Sequence, residues 1–257
     1  MKILILGAGK MGSFFTDLLS FDHEVAVLEK DLRRMRFIYN AIRMLSPEEI
    51  KAFKPELVIN CVTLNHTIDA FQAIFPYIEP NCIISDVASV KTQLQDFYTS
   101  CGFPFVSTHP MFGPTFATLG SLDEENTIII SEGNHLGKVF FKDLYSRLKL
   151  NIFEYSFDEH DQVVAYSLGI PFASTLVFAA TMVHQDAPGT TFKRHMKIAH
   201  GLMSEDDYLL SEILFNPRTP LQISRVQEEL DVLQDIIRQK DTEAMKTYLS
   251  RIRKKIE

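Results

Sequence analysis

The opening residues, MKILILGAGKMG, limit what this chain can fold into more than any other stretch. An apolar, β-branched run, KILIL, passes directly into Gly7, Ala8, Gly9, Lys10, Met11 and Gly12, and then into MGSFFTDLLSFD, whose apolar residues recur with a helical period. A second apolar run, EVAVLE, ends on Glu29. Each glycine has a physical task in such a unit. Gly7 permits the tight turn, Gly9 lets a pyrophosphate approach the backbone, and Gly12 lets the helix lie close to the strand. The helix N-terminus offers unpaired N–H groups and a partial positive charge to phosphates. An acid about 20 residues on accepts hydrogen bonds from a ribose. A bare GxGxxG would be weak evidence. Set between a strand and a helix, and followed by Glu29, it predicts dinucleotide binding.

The rest of the N-terminal half repeats the grammar of that unit. The runs ELVINCV, NCIISDV, FPFVST, NTIIIS and NIFEYS are separated by stretches long enough for helices. Continuous apolar strands of this kind require a parallel sheet covered on both faces. From about Glu159 onward no strand pattern appears, while SRVQEELDVLQDIIRQ and DTEAMKTYLSRIRKKI are amphipathic helices. We therefore expect an α/β chain with a doubly wound, mostly parallel, Rossmann-like sheet over residues 1–155 and an all-helical domain over residues 156–257. Its 257 residues, 46% of them hydrophobic, suffice for either one large core or two modest ones. A net charge of −7 argues against nucleic acid or an anionic membrane surface as partner. No apolar run reads as reaching the roughly 20 residues of a membrane span. The three cysteines, Cys61, Cys82 and Cys101, lack disulfide or zinc spacing and read as reduced thiols of a cytoplasmic protein. No metal site is expected.

In open α/β sheets the ligand lies beyond the carboxyl ends of the strands. Glu29 repels a 2′-phosphate, which favours NAD over NADP, although Lys30, Arg33 and Arg34 follow closely. The strand end Asn60 to Thr63 adds Val62 to the cofactor residues. Two further strand ends carry polar groups, DVASVK and STHPMFGP. In the first, Ser89 is placed either to cap the next helix or to orient an imidazole, and Lys91 reads as a solvated first-turn residue. In the second, the prolines and glycine stiffen the backbone around His109. An imidazole beside a nicotinamide site has the pKa to take a hydroxyl proton as hydride departs.

GAGKMG, DVASVK, HPMFGP and DEHDQ, in that order, resemble the prephenate/arogenate dehydrogenase family. The resemblance implies oxidative decarboxylation of a cyclohexadienol with NAD, His109 accepting the hydroxyl proton. Ser89 would bond near His109 and the substrate, and Gly113 would help shape the ring pocket. It also implies a homodimer formed through the helical domain. His160 and Asp161 of DEHDQ lie near the domain junction, where capping and domain contact compete with a catalytic reading.

Two departures from the family pattern bear on the substrate. Phe172 stands where members carry a further histidine, and Gly201 where they carry a carboxylate-binding arginine. Lys197 and Arg194, with Lys193, His195 and His200 nearby, are the candidate replacements. Phe112 and Phe116 read as packing. The readings left open are a prephenate dehydrogenase, an arogenate dehydrogenase, a β-hydroxyacid or imine reductase with the same cofactor domain, and a non-catalytic dinucleotide sensor.

Overall fold

The computed structural model describes residues 1–112 and 122–256. Gly113 and Phe116 lie outside them. The described residues divide into two compact units, Met1–Gln162 and Val163–Glu257.

In the first unit, strands and helices alternate as β1 (Lys2–Leu6), α1 (Lys10–Leu19), β2 (Glu24–Leu28), α2 (Leu32–Met35), β3 (Ile42–Met44), α3 (Ile50–Phe53), β4 (Leu57–Asn60), α4 (Thr67–Ile74), β5 (Ile83–Asp86), α5 (Leu94–Ser100), β6 (Phe105–Pro110), β7 (Asn126–Ile130), α6 (His135–Arg147), β8 (Asn151–Tyr155) and α7 (Phe157–Val164). All described strands join one sheet in the order β3-β2-β1-β4-β5-β6-β7-β8. Every neighbouring pair is parallel except β6 with β7. This is the doubly wound, Rossmann-like sheet, with strand order reversing between β1 and β4.

The register aligns the functional ends. Leu6 pairs with Leu28 on one side and Asn60 on the other; Asn60 pairs with Asp86, and Asp86 with Ser107. The carboxyl ends of four strands thus form one row with Ser107 of β6, and His109 lies two residues beyond that row on β6. The central strands are apolar because both faces are covered: Ile3, Ile5, Val27, Ile59, Val106 and Ile129 share one core with Phe15 and Leu19 of α1 and Phe141, Leu144 and Tyr145 of α6. The seven apolar runs are all strands. β3 is the strand the pattern does not reveal, because IRM is an edge strand of three residues with Ile42 and Arg43 exposed.

The second unit is helical: α8 (Ile170–Thr181), α9 (Thr190–Leu202), α10 (Asp207–Leu214), α11 (Thr219–Gln239) and α12 (Thr242–Ile256). A π-turn, Ala165–Gly169, links α7 to α8 in one continuous helix. Pro171 follows that turn; it has no N–H to give to a preceding carbonyl, so the hydrogen-bond ladder loosens there. The continuous helix Phe157–Thr181 is 25 residues long and apolar enough, by length and composition, to cross a membrane; 17% of its apolar window is buried. This corrects the reading of the apolar runs. Ser, Gly, Pro and Thr break up the hydrophobic letters, but no charge occurs between Asp161 and His184.

Candidate active site

The glycine turn has the geometry that a dinucleotide's phosphates require. Gly7 has φ +91°, a conformation that an L side chain rarely adopts, and a Cβ there would come within 3.2 Å of the Cys61 carbonyl and Val62 Cγ1. A Cβ on Gly12 would stand 1.9 Å from the Gly7 carbonyl oxygen. The Gly9 Cβ position, in contrast, meets nothing nearer than Arg34 Nη1 at 4.0 Å. The close helix–strand contact lies at Gly12, and the open approach lies at Gly9, the N-cap of α1. No side chain caps α1 and no acid lies in its first turn, so its N-terminal field is uncompensated from within. Lys10 and Met11 begin that helix.

Glu29, at the end of β2, is held against the same turn. Its Oε2 accepts from the Ala8 N–H at 2.7 Å and its Oε1 from the Asp31 N–H at 2.9 Å. Arg34 Nη1 lies 4.0 Å from Glu29 Oε2. Arg33 is committed elsewhere, bonding Asp31 through Nε and Nη2 at 3.0 and 2.9 Å, and this bond lowers the Asp31 pKa to about 2. The structure therefore brings together Gly7, Ala8, Gly9, Gly12, Glu29 and Val62, at the point where the strand order reverses.

His109 is 5% exposed, near the carboxyl end of β6, and its Nδ1 lies 2.9 Å from His160 Nε2. His160 is fully buried on α7, and its Nδ1 lies 3.2 Å from Asp161 Oδ1. The carboxylate assigns the protons along this chain. Asp161 can only accept, so His160 donates through Nδ1 and presents a lone pair at Nε2. His109 then donates through Nδ1, which leaves its own Nε2 as the basic nitrogen. Burial first, then the neighbouring imidazole and the Lys91 ammonium, push His109 well below the ordinary imidazole pKa. Burial lowers His160 also, and its bond to Asp161 opposes that. His109 is thus a neutral acceptor at physiological pH.

Two readings of DVASVK are corrected. The following helix begins at Leu94 with Gln93 at its N-cap, so Ser89 does not cap it. Ser89 is half-buried, and among the described residues the ring partner of His109 is His160, not Ser89. Lys91 is not solvated but has no exposed surface at all; its ammonium pairs with Asp86 and donates to the Thr108 carbonyl at 2.8 Å. Phe112 is buried, with its ring edge against Phe14. Gly113 lies outside the described residues. Phe172 is half-buried on α8, and Lys193, Arg194, His195, Lys197 and His200 are exposed on α9; all belong to the second unit. Among the described residues no cluster of His, Cys, Asp and Glu could hold a metal.

A sheet of this order with such a glycine turn defines a nucleotide-binding protein of the Rossmann type. Residues 20–150, about half of the chain, match the nucleotide-binding domain of prephenate dehydrogenase, and the chain belongs to that family. A probable arogenate/prephenate dehydrogenase of Methanocaldococcus jannaschii is 21% identical over 93% of this chain. The chain spans 57% of the length of that curated relative. Among solved structures, a prephenate dehydrogenase from Aquifex aeolicus, in complex with hydroxyphenyl propionate and NAD+, superposes with a TM-score of 0.82 at 19% identity, covering 99% of this chain and 96% of that one. A Synechocystis arogenate dehydrogenase superposes with a TM-score of 0.75 at 18% identity, covering 99% and 98%. These likenesses establish the fold over both units.

Proposed function

We propose that this protein is an NAD-dependent prephenate dehydrogenase, converting prephenate to 4-hydroxyphenylpyruvate in tyrosine biosynthesis. The observation that carries the reading is His109: a buried imidazole at a strand end of the cofactor sheet, its Nδ1 proton held by His160 and its Nε2 left basic. The matched family supports the substrate class. A bound NAD would supply the hydride acceptor for the ring carbon that bears the hydroxyl. The chain's own residues do the rest. Gly7 to Gly12 seat the phosphates, and Glu29 accepts from the adenosine ribose while disfavouring a 2′-phosphate. His109 takes the hydroxyl proton through Nε2. Ser89 contacts the substrate hydroxyl, and Lys197 and Arg194 are the cations we assign to its carboxylates. Loss of carbon dioxide makes the ring aromatic, which drives the reaction without a metal.

We further propose that a second copy covers the helical unit. Tyr166, Val177, Ile198, Phe215, Leu221 and Ile237 are exposed there, and most of the apolar window of Phe157–Thr181 is unburied. A homodimer buries such a surface, and the same reading places the protein in the cytoplasm with Cys61, Cys82 and Cys101 unpaired.

A two-by-two assay tests the enzymatic reading: prephenate and arogenate, each with NAD and NADP, followed by the absorbance of the reduced nicotinamide. Turnover is expected in the prephenate–NAD cell. Turnover confined to arogenate would transfer the substrate assignment, and no signal in any cell would overturn the enzymatic reading.

A further inference from the structure

Lys91 raises a physical question that the proposed reaction does not answer. A fully buried ammonium carries a large desolvation cost, and a buried ion pair is commonly no more stabilising than an apolar pair of the same volume. Here the charge is held by a carboxylate and a backbone carbonyl. Lys91 pairs with Asp86 and donates to the Thr108 carbonyl at 2.8 Å. Asp86 Oδ1 also accepts from the Ala88 N–H at 3.0 Å, and its Oδ2 from the Tyr98 hydroxyl at 2.7 Å. The Thr108 hydroxyl donates to the Asp86 carbonyl at 3.3 Å, which leaves it to accept from the Tyr145 hydroxyl at 2.8 Å. Asp86, Lys91, Thr108, Tyr98 and Tyr145 all lie within the first unit, and all are buried. The strands β5 and β6 and the helices α5 and α6 meet on this network. The Thr108 carbonyl belongs to the peptide that leads into His109, so the network ends on the backbone of the proposed base.

We infer that Lys91 is a positioning residue for His109: bonded to the Thr108 carbonyl and anchored by Asp86, it fixes the strand end from which the imidazole projects. The inference rests on the reading of His109 as the base. Placement of this kind governs rate because a base displaced by an ångström can lose on the order of 10²-fold in turnover. The same ammonium also acts through space. Among the described residues, the charged and titratable groups that act on His109 are His160 from α7 and Lys91 after β5; Asp161 from α7 and Asp86 at the end of β5 act in turn on His160 and Lys91, and Asp86 also on Tyr98 from α5 and Tyr145 from α6. Among these neighbours, His160 and Lys91 lower the His109 pKa. Lys91 therefore extends the neutral, proton-accepting form of His109 to lower pH.

The test is the double variant Lys91→Met/Asp86→Asn, which removes both charges and keeps the packed volume. Its His109 ring resonances, followed by NMR against pH in the cofactor-free protein, are expected to titrate at higher pH than in the parent protein. The acid limb of kcat/KM for prephenate should move up with it, and kcat should fall by on the order of tenfold. Lys91→Gln replaces the double variant if the latter does not fold. It keeps N–H groups for Thr108 and Asp86 and deletes the charge, so the titration should move with a smaller loss of kcat. A His109 titration and a pH profile that superpose on those of the parent protein, in whichever variant folds, would overturn the inference. Turnover with an unmoved histidine removes the role of Lys91 and leaves the enzymatic reading intact. A parent protein without turnover on either substrate overturns the enzymatic reading and with it the role of His109 as the base, whatever the histidine titration shows.

Discussion

His109→Asn is expected to lower kcat for prephenate by on the order of 10²–10⁴ while leaving the affinity for NAD nearly unchanged. The substitution suits the geometry. The asparagine amide nitrogen occupies much the same place as the imidazole Nδ1, so it can still donate to His160 Nε2, which lies 2.9 Å from Nδ1 in the native ring. The His160 bond to Asp161 is untouched. What disappears is the second nitrogen, with its lone pair, and no amide can replace that as a base. His109 lies two residues beyond the row of paired strand ends, away from the glycine turn, so the phosphate site is not disturbed. Steady-state kinetics with prephenate, NADH binding by fluorescence and a thermal melt separate the outcomes. A lost kcat with intact binding and Tm is the expected result; an unchanged kcat would remove His109 from the proton transfer.

The residues of this prediction were only partly visible in the sequence. The glycine turn and the strand ends were legible because they are local. GAGKMG must be a tight turn wherever it occurs between a strand and a helix, and a strand-end histidine in a parallel sheet lies on the ligand side. His160 and Lys91 were not legible as partners of His109. His160 is distant in sequence, and the path that returns it to β6 runs through β7, α6 and β8. Periodicity along α7 shows that one face is buried but not which strand it meets. Lys91 was misread for a different reason. A lysine just after a strand is exposed in most folds, and its burial depends on Asp86, Thr108 and Tyr98 closing around it, a contact set that no single stretch encodes. Helix Phe157–Thr181 was misread because polar but uncharged letters interrupt it without lowering its capacity to sit in an apolar environment.

Gly12→Ala and Gly9→Ala should fail in different ways, and the contrast tests the cofactor site without relying on turnover. At Gly12 the added Cβ would stand 1.9 Å from the Gly7 carbonyl oxygen and 2.9 Å from its carbon, both backbone atoms of the turn itself. Neither can rotate away, so α1 must be pushed off β1. Phe15 and Leu19 of that helix are fully buried against the sheet and would lose contacts with it. Overpacking of this kind typically costs about 1–3 kcal/mol, and a backbone clash lies at the upper end or beyond. In a chain of this length, that corresponds to a drop in Tm of at least several degrees, together with loss of NADH binding. At Gly9 the backbone has φ −72° and ψ −171°, which alanine adopts without strain, and the Cβ meets only Arg34 Nη1 at 4.0 Å. The cofactor-free protein should therefore melt as before. Its new methyl stands where a pyrophosphate would approach the N-terminus of α1, so the Kd for NADH should rise at least about tenfold, or about 1.4 kcal/mol. A Gly9→Ala protein that binds NADH as tightly as the native chain would place the phosphates elsewhere. A Gly12→Ala protein with native Tm and affinity would mean that the helix–strand contact at Gly7 can yield, which the 1.9 Å approach to a backbone oxygen does not allow.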